Sequence, residues 1–294
     1  MATLHSPIHD FIAELVGVDR LSEHFVRYRL RALEGATLQA AQPGQFVMLE
    51  APGVLLRRPF SLLDVDVQDG TRFDLLIWVG GTGGTILASL APGARLRGLG
   101  PLGKGFPSPE RGIRVVCVGG GFGVAPFHLA IRRWSQEGGD FALFAGARTI
   151  HELPFLGMIT DALHQWSGAH FRVTTEDGSF GSTGRIVDEV EPYLVRAVQG
   201  GAPVRLYACG SKGMLRAVAH LGNRLAVPTW VSLEERMACG FGGCQGCPVE
   251  LAEHPRTPPL QSAHGGVETG RSNQKRFARV CVDGPVFPLH EVVL

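Results

Sequence analysis

Little in this 294-residue chain is one-sided. Its 28 basic and 27 acidic residues leave a net charge of +1, so it lacks the electrostatic footprint of a protein that binds nucleic acid or an anionic membrane. Lysine is scarce and arginine carries nearly all the positive charge, a compositional bias without functional content. Met1 to Val16 has no basic segment followed by an apolar run, so no signal peptide is expected. The most apolar stretch, Val115 to Ile131, is interrupted by four glycines and a proline. It therefore reads as strand, loop and helix start, not as a membrane span. There are six cysteines. Two of them, Cys117 and Cys209, stand singly in apolar strands and the other four are grouped, so disulfides are not expected and the cytoplasm is the default compartment.

Glycine is abundant, at forty residues, and it gathers in loops that could approach a cofactor's phosphates. The densest group is Cys239-Gly240-Phe241-Gly242-Gly243-Cys244-Gln245-Gly246-Cys247. Its cysteines follow C-x4-C-x2-C, and Cys281 follows after a long gap. That is the plant-type spacing of a 2Fe-2S site, in which thiolates ligate iron and glycines let the loop curl so that amides point at the sulfurs. Two other readings are open, unrelated buried thiols and a structural zinc. Zinc knuckles come in separated pairs, whereas three ligands here share one loop, which favours Cys239, Cys244, Cys247 and Cys281 as iron ligands.

From His9 to about Leu99, short strands at Phe11 to Val18, His24 to Ala32, Gln45 to Glu50, Phe60 to Val65, Arg72 to Val79 and Gly93 to Leu99 alternate with turn signals. That spacing predicts a small antiparallel barrel, interrupted by a helix over Thr85 to Leu90. Two features there look chemical. Arg57-Arg58-Pro59-Phe60-Ser61 offers a guanidinium for a pyrophosphate and a hydroxyl for a flavin ring or phosphate. Gly80-Gly81-Thr82-Gly83-Gly84-Thr85 opens the helix with free amides, although Thr82 or Thr85 could simply cap it.

Beyond Gly100 to Phe106 the period changes. The apolar strand Arg114 to Val118 feeds Gly119-Gly120-Gly121-Phe122-Gly123 and a helix over Phe127 to Trp134. Strands at Asp140 to Ala145, His170 to Thr175 and Val204 to Cys209 then alternate with helices near Leu153 to Trp166, Ile186 to Val195 and Lys212 to Leu225. This is the pattern of a doubly wound parallel sheet, with ligands beyond the carboxyl ends of its strands. Gly119, Gly120, Gly121, Gly123, Glu176, Asp177, Cys209 and Gly210 all fall at such ends. Glu176 and Asp177 would favour NAD(H) over NADP(H) if they face the adenosine ribose; an ordinary Asp-Gly turn is the alternative. Cys209 could pack beside the nicotinamide or be an inert buried thiol. Glu253 to Arg276 reads as a surface insertion, and its His254 and His264 are assigned no metal.

Ser232 to Gly240, Val280 to Phe287 and Glu291 to Leu294, with the features above, resemble the ferredoxin-reductase superfamily. They resemble more closely the electron-transfer subunits of NAD-linked dihydroorotate dehydrogenases, over nearly the whole chain. The resemblance implies an FAD-binding barrel (residues 1–108), an NAD-binding α/β domain (109–228) and a small 2Fe-2S domain (229–294). It implies FAD at Arg58, Pro59, Phe60 and Ser61, completed by Ile77, Trp78, Val79, Gly84 and Thr85. It also implies an FMN-containing catalytic subunit as partner, in a heterotetramer serving pyrimidine biosynthesis. Ser211 stands where a proline often follows the Cys-Gly pair, and the gap from Cys247 to Cys281 is long. Two further readings are a related subunit coupling NAD(P)H to ferredoxin or polysulfide, and a non-catalytic redox sensor. Intact loops for both FAD and nucleotide count against the sensor.

Overall fold

The structure is a computed structural model that describes residues 8–135, 140–164, 166, 168–252 and 276–294. The expected insertion, apart from Arg276, and its two histidines lie outside the described residues. The first half is a closed six-stranded antiparallel barrel in the order β1-β2-β5-β4-β3-β6. Its strands are β1 (His9–Arg20), β2 (Phe25–Ala32), β3 (Phe46–Leu49), β4 (Arg58–Val65), β5 (Arg72–Trp78) and β6 (Arg95–Leu102). A period of two builds it: Phe11, Ala13 and Leu15 of β1 and Val26, Tyr28, Leu30 and Ala32 of β2 point into one core. The arginines between them point out, where Arg27 donates to Asp74 (2.9 Å), Arg29 to Asp19 and Arg31 to Glu14.

The helix α1 (Gly81–Ala88) begins four residues before the expected start. Glycine carries no helical signal in a sequence, so the run read as a loop before the helix is in fact its first turn. Likewise β6 runs on to Leu102, three residues beyond its expected end.

The second half is a seven-stranded sheet in the order β10-β9-β8-β7-β11-β12-β15. It comprises β7 (Arg114–Gly120), β8 (Asp140–Ala147), β9 (His170–Thr175), β10 (Ser182–Thr183), β11 (Val204–Cys209), β12 (Thr229–Ser232) and β15 (Val286–Pro288), with only β15 antiparallel to its neighbour. Helices α2 (Ala125–Trp134) and α3 (Leu156–His164) cover one face, and α4 (Ile186–Gln199) and α5 (Lys212–Arg224) the other. Alternation explains the apolar strands: Val116 and Val118 join the core under α4 and α5, while Val115 and Cys117 join that under α2 and α3. The expected third segment is not a separate layer throughout. Its β12 and β15 are strands of this sheet, and only β13 (Pro248–Glu250) and β14 (Phe277–Arg279) form their own two-stranded ribbon. Both sheet strands are too short to show a period in the sequence.

Barrel and sheet meet through aromatic and buried polar contacts. Phe106 is fully buried and packs on Phe127 and Tyr207 at centroid distances of 5.4 and 5.2 Å. Phe25 of β2 stacks on Phe122 after β7 at 5.8 Å. Beneath them His128 of α2 donates Nδ1–H to the Leu63 carbonyl of β4 at 3.1 Å.

Burial pushes the His128 imidazole down to about 4, with the Leu63 hydrogen bond and Asp74 opposing that and Arg132 and Arg27 adding to it. The unfolded chain thus binds this proton at higher pH than the folded one. Stability is fully present above about pH 6.5 and falls as pH drops toward 4, by up to roughly 3 kcal/mol. A His128→Gln variant should therefore lose less stability than wild type between pH 7 and 4.5, read from denaturant midpoints. Equal losses would refute the assignment.

Candidate functional site

Three structural units border one cleft of about 1000 Å³. The barrel contributes Arg58, Pro59, Phe60, Ser61 and Trp78 with the first turn of α1. The sheet contributes Gly121, Phe122 and Cys209, and the chain leaving β12 contributes Ser232 to Glu235 and Met237. The N-terminus of α1 has no side-chain cap at Gly80, so its first amides are free. Arg58 lies over that turn, since a Cβ on Gly83 would stand 3.0 Å from its Nε. A guanidinium beside unpaired helix amides is the chemistry a pyrophosphate requires. Thr85 is neither cap nor cleft wall: its hydroxyl donates to the Gly81 carbonyl one turn back, at 3.0 Å. Trp78 is exposed and lies against Gly80, whereas Ile77 is buried in the barrel core and does not line the cleft. Val79 packs against the same core, and Gly84 lies so close to the Trp78 carbonyl, 2.3 Å from a notional Cβ, that no side chain fits.

The glycine loop after β7 packs backbone to backbone on the end of β11. A Cβ on Gly123 would meet the Cys209 carbonyl oxygen at 2.3 Å, and one on Gly210 would meet Gly120 Cα at 3.0 Å. This contact holds Gly119 to Gly123 beside a second cavity, of about 640 Å³, lined by Gly120, Gly121, Arg148, Glu152, Glu176, Arg185 and Ser211. Backbone amides, two arginines and a helix start suit a dinucleotide's phosphates. Ser211, the departure from the expected proline, caps α5 by accepting from Met214 N–H at 3.3 Å. The two carboxylates read as a pair part company here. Glu176 lines the cavity, while Asp177 is exposed and accepts from Ser179 N–H and Oγ–H at 2.9 and 2.7 Å. Those bonds hold the Asp177 carboxyl below the usual range, so it serves its own turn.

Cys209 is buried at the cleft wall, next to Ser232 in the β11–β12 register. Burial, aided by Glu234 and opposed by Ser232, pushes its thiol up to about 12. It is therefore a protonated, space-filling group and no nucleophile. Sequence reasoning missed Arg148 and Glu152, which touch both cavities and pair at 2.7 Å, and it missed the cleft position of Glu234. A charged residue in a loop gives no sign of which cavity it faces.

The four grouped cysteines come together two and two. Cys244 N–H points at Cys239 Sγ (3.4 Å) and Cys281 N–H at Cys247 Sγ (3.5 Å). The second pair is made by the ribbon: β13 and β14 pair Pro248 with Arg279, and Val280 N–H then donates to the Cys247 carbonyl at 2.9 Å. Burial raises the Cys239 thiol, but amides of Cys244, Phe241 and Gly242 outweigh it and bring it down to about 6. Burial first, then Cys247, pushes Cys281 up to about 12. Cys247 and Cys281 are buried, Cys239 half-buried and Cys244 exposed. Among the described residues no group of three or more His, Cys, Asp or Glu that could hold a metal ion is found. No helix among them is long and apolar enough to cross a membrane.

Gly123→Ala tests the backbone contact. With 2.3 Å to a carbonyl oxygen, the strand and loop must separate, at a cost of about 1–3 kcal/mol for overpacking. The expected outcome is a lower melting temperature and NAD(H) affinity reduced at least tenfold by calorimetry. Unchanged values for both would mean that the loop is not held by this contact.

Comparisons with known proteins bear on the same regions. Residues 117–220 match the oxidoreductase NAD-binding domain. The dihydroorotate dehydrogenase B (NAD(+)) electron transfer subunit of Bacillus cereus (strain 03BB102) is 36% identical over 272 residues, covering 89% of this chain and 91% of that one. The like-named subunit of Shouchella clausii is 34% identical over 273 residues, with the same coverage. Among solved structures, an NADH-dependent reduced ferredoxin-NADP oxidoreductase, studied for flavin-based electron bifurcation, superposes with a TM-score of 0.75 at 23% identity. It covers 95% of this chain and 89% of its own. The ferredoxin reductase of carbazole 1,9a-dioxygenase gives 0.63 at 25% identity, over 76% and 68%. A barrel and a nucleotide-binding sheet joined in this order, with such identity along nine-tenths of the length, mean that the chain belongs to the family of electron transfer subunits of NAD-linked dihydroorotate dehydrogenase B.

Proposed function

We propose that this chain conveys electrons between a dihydroorotate-oxidising catalytic subunit and NAD+, using FAD in the cleft and a 2Fe-2S cluster at the four cysteines. The observation that carries the reading is that Cys239 contacts Cys244 and Cys247 contacts Cys281, on the chain that continues from the wall of a flavin-sized cleft. A binuclear cluster needs two thiolates for each iron, and the contacts of Cys239 with Cys244 and of Cys247 with Cys281 support that grouping. When bound, FAD exchanges a hydride with nicotinamide and passes electrons singly, and a 2Fe-2S cluster carries one at a time.

Each segment of the chain has a share in this. Arg58 and the α1 amides hold the flavin pyrophosphate, while Pro59, Phe60, Ser61 and Trp78 form the barrel wall against the ring. Gly119, Gly120, Gly121, Gly123 and Gly210 let the dinucleotide's phosphates approach the backbone. Glu176 accepts from the adenosine ribose and repels a 2′-phosphate, which favours NAD(H). Cys209 packs at the nicotinamide end and keeps water out. The loop 233–238 joins the cleft to the cysteines, and the exposed Cys244 marks the edge toward the catalytic subunit, which we take to hold FMN in a heterotetramer. We retain the division at 108 and 228 as a functional one, with the last segment sharing strands with the sheet.

Anaerobic purification should give red-brown protein holding FAD, with two irons and two labile sulfides per chain. Cys281→Ala should lose the iron and sulfide and keep the FAD. Colourless protein, or zinc without flavin, would refute the reading. Orotate formation with the FMN subunit separates it from a ferredoxin- or polysulfide-linked relative, and NADH-dependent dye reduction separates it from a sensor. Cys209→Ala should slow NADH oxidation on the order of tenfold, the effect of about 1.4 kcal/mol of lost positioning, with flavin content unchanged. Unaltered hydride-transfer rates would remove Cys209 from the site.

A further inference from the structure

Among the described residues, the cleft holds one carboxylate without a counter-ion. Charged and titratable groups face it from every side: His24 and Arg58 from the barrel, Arg148, His151 and Glu152 from the segment after β8, Cys209 from β11, and Glu234 and Glu235 from the chain after β12. Most of these are engaged. Arg148 pairs with Glu152, Arg58 donates to the Leu56 carbonyl at 2.8 Å, and Glu235 takes Lys212 of α5 at 3.4 Å. Glu234 makes no hydrogen bond or ion pair with any described residue. Its backbone position is nonetheless fixed, because Leu233 N–H donates to the Pro285 carbonyl at 2.9 Å and Ser232 ends β12. The residue is exposed at the cleft mouth, and the cleft walls around it raise the Glu234 carboxyl above the usual range. It also acts electrostatically on the Cys209 thiol.

A flat ring system filling the cleft would cover this carboxylate further and leave it facing whatever charge the ring acquires. We propose that Glu234 is the redox-linked proton acceptor of the cleft, taking a proton from water when an electron enters the bound ring and returning it when the electron leaves. The step balances. One electron arrives from the cluster, one proton arrives from solvent at Glu234 Oε, and the net charge of the cleft is unchanged; reversal sends the proton back to water as the electron departs. No bond of the ring need break or form for Glu234 to act. The physical cause is reciprocity: negative charge nearby raises a carboxyl's proton affinity, so the proton must in turn favour the added electron. Glu152 and Glu235 cannot take this part while each is held to a cation.

This inference rests on the FAD reading above and is tested on the FAD-loaded protein by spectroelectrochemical titration of the flavin from pH 5 to 9. The wild type should show a segment in which the midpoint potential falls more steeply with pH, equivalent to about one additional proton taken up on reduction. Glu234→Gln should lose that segment while binding FAD at the same stoichiometry. Glu234→Asp, which keeps a carboxylate, should retain it at a displaced pH. Identical pH slopes in wild type and Glu234→Gln, both with FAD bound, would overturn this inference alone. Protein that binds no FAD would overturn the reading on which it rests as well.

Discussion

The pairing of β12 with β11 is the constraint on which the rest of the structure depends. By laying Thr229–Ser232 parallel to Val204–Cys209, with Ser232 opposite Cys209, the sheet delivers the chain at the carboxyl end of its strands, where ligands of such sheets bind. The residues that follow, Leu233 to Met237, then have nowhere to go but along the cleft and into the cysteine loop. The chain returns as Val286–Pro288 on the other side of β12. Just before that strand, Lys104 at the end of the barrel donates to the Gly284 carbonyl at 2.5 Å. Barrel, sheet and cysteine loop are thereby tied within a few residues of one another, which is what an electron path through separate groups requires.

Apolar burial supplies the stability behind this arrangement. Each fully buried large side chain is worth about 1.5–3 kcal/mol, and the seam between barrel and sheet is lined by Phe106, Phe127 and Tyr207, all fully buried. The more exposed ion pairs of Arg29 and Arg31 along β2, by contrast, are worth at most about 1 kcal/mol each. They give the barrel's outer face its polarity and little of its strength. Polar groups matter where they are enclosed. His128 stays neutral because its burial outweighs the donor bond to Leu63 that crosses the seam, and Cys239 is lowered because three amides converge on its sulfur. Burial sets the proton affinity of the first, and backbone amides of its own loop set that of the second.

The cleft's electrostatics divide its acids by role. Glu152 and Glu235 are tied to Arg148 and Lys212, Asp177 is bound into its own turn, and Glu176 stands in the second cavity. Only their surroundings distinguish these carboxylates from Glu234. Residue type sets which protons a group can carry; its neighbours decide whether it carries one.

The sequence by itself determined the elements that repeat at a fixed period and the cysteines that sit at a fixed spacing. Alternation in β1 and β2 specified a barrel, strand-glycine-helix runs specified a nucleotide sheet, and C-x4-C-x2-C marked a glycine-rich cysteine loop, because each is local and each has its own chemistry. Family likeness along Ser232 to Gly240 added the identity. Tertiary structure decided what no local pattern encodes. It put Cys281 against Cys247 across a ribbon of three-residue strands, inserted β12 and β15 into a sheet that their length could not announce, and drew α1 back over its glycines. It also separated Glu176 from Asp177 and turned Glu234 into the cleft. The physical reason is the same throughout: periodicity and spacing record how a residue relates to its neighbours in the chain. Cavities, ion pairs and proton affinities depend on residues that are distant in sequence and meet only when the layers pack.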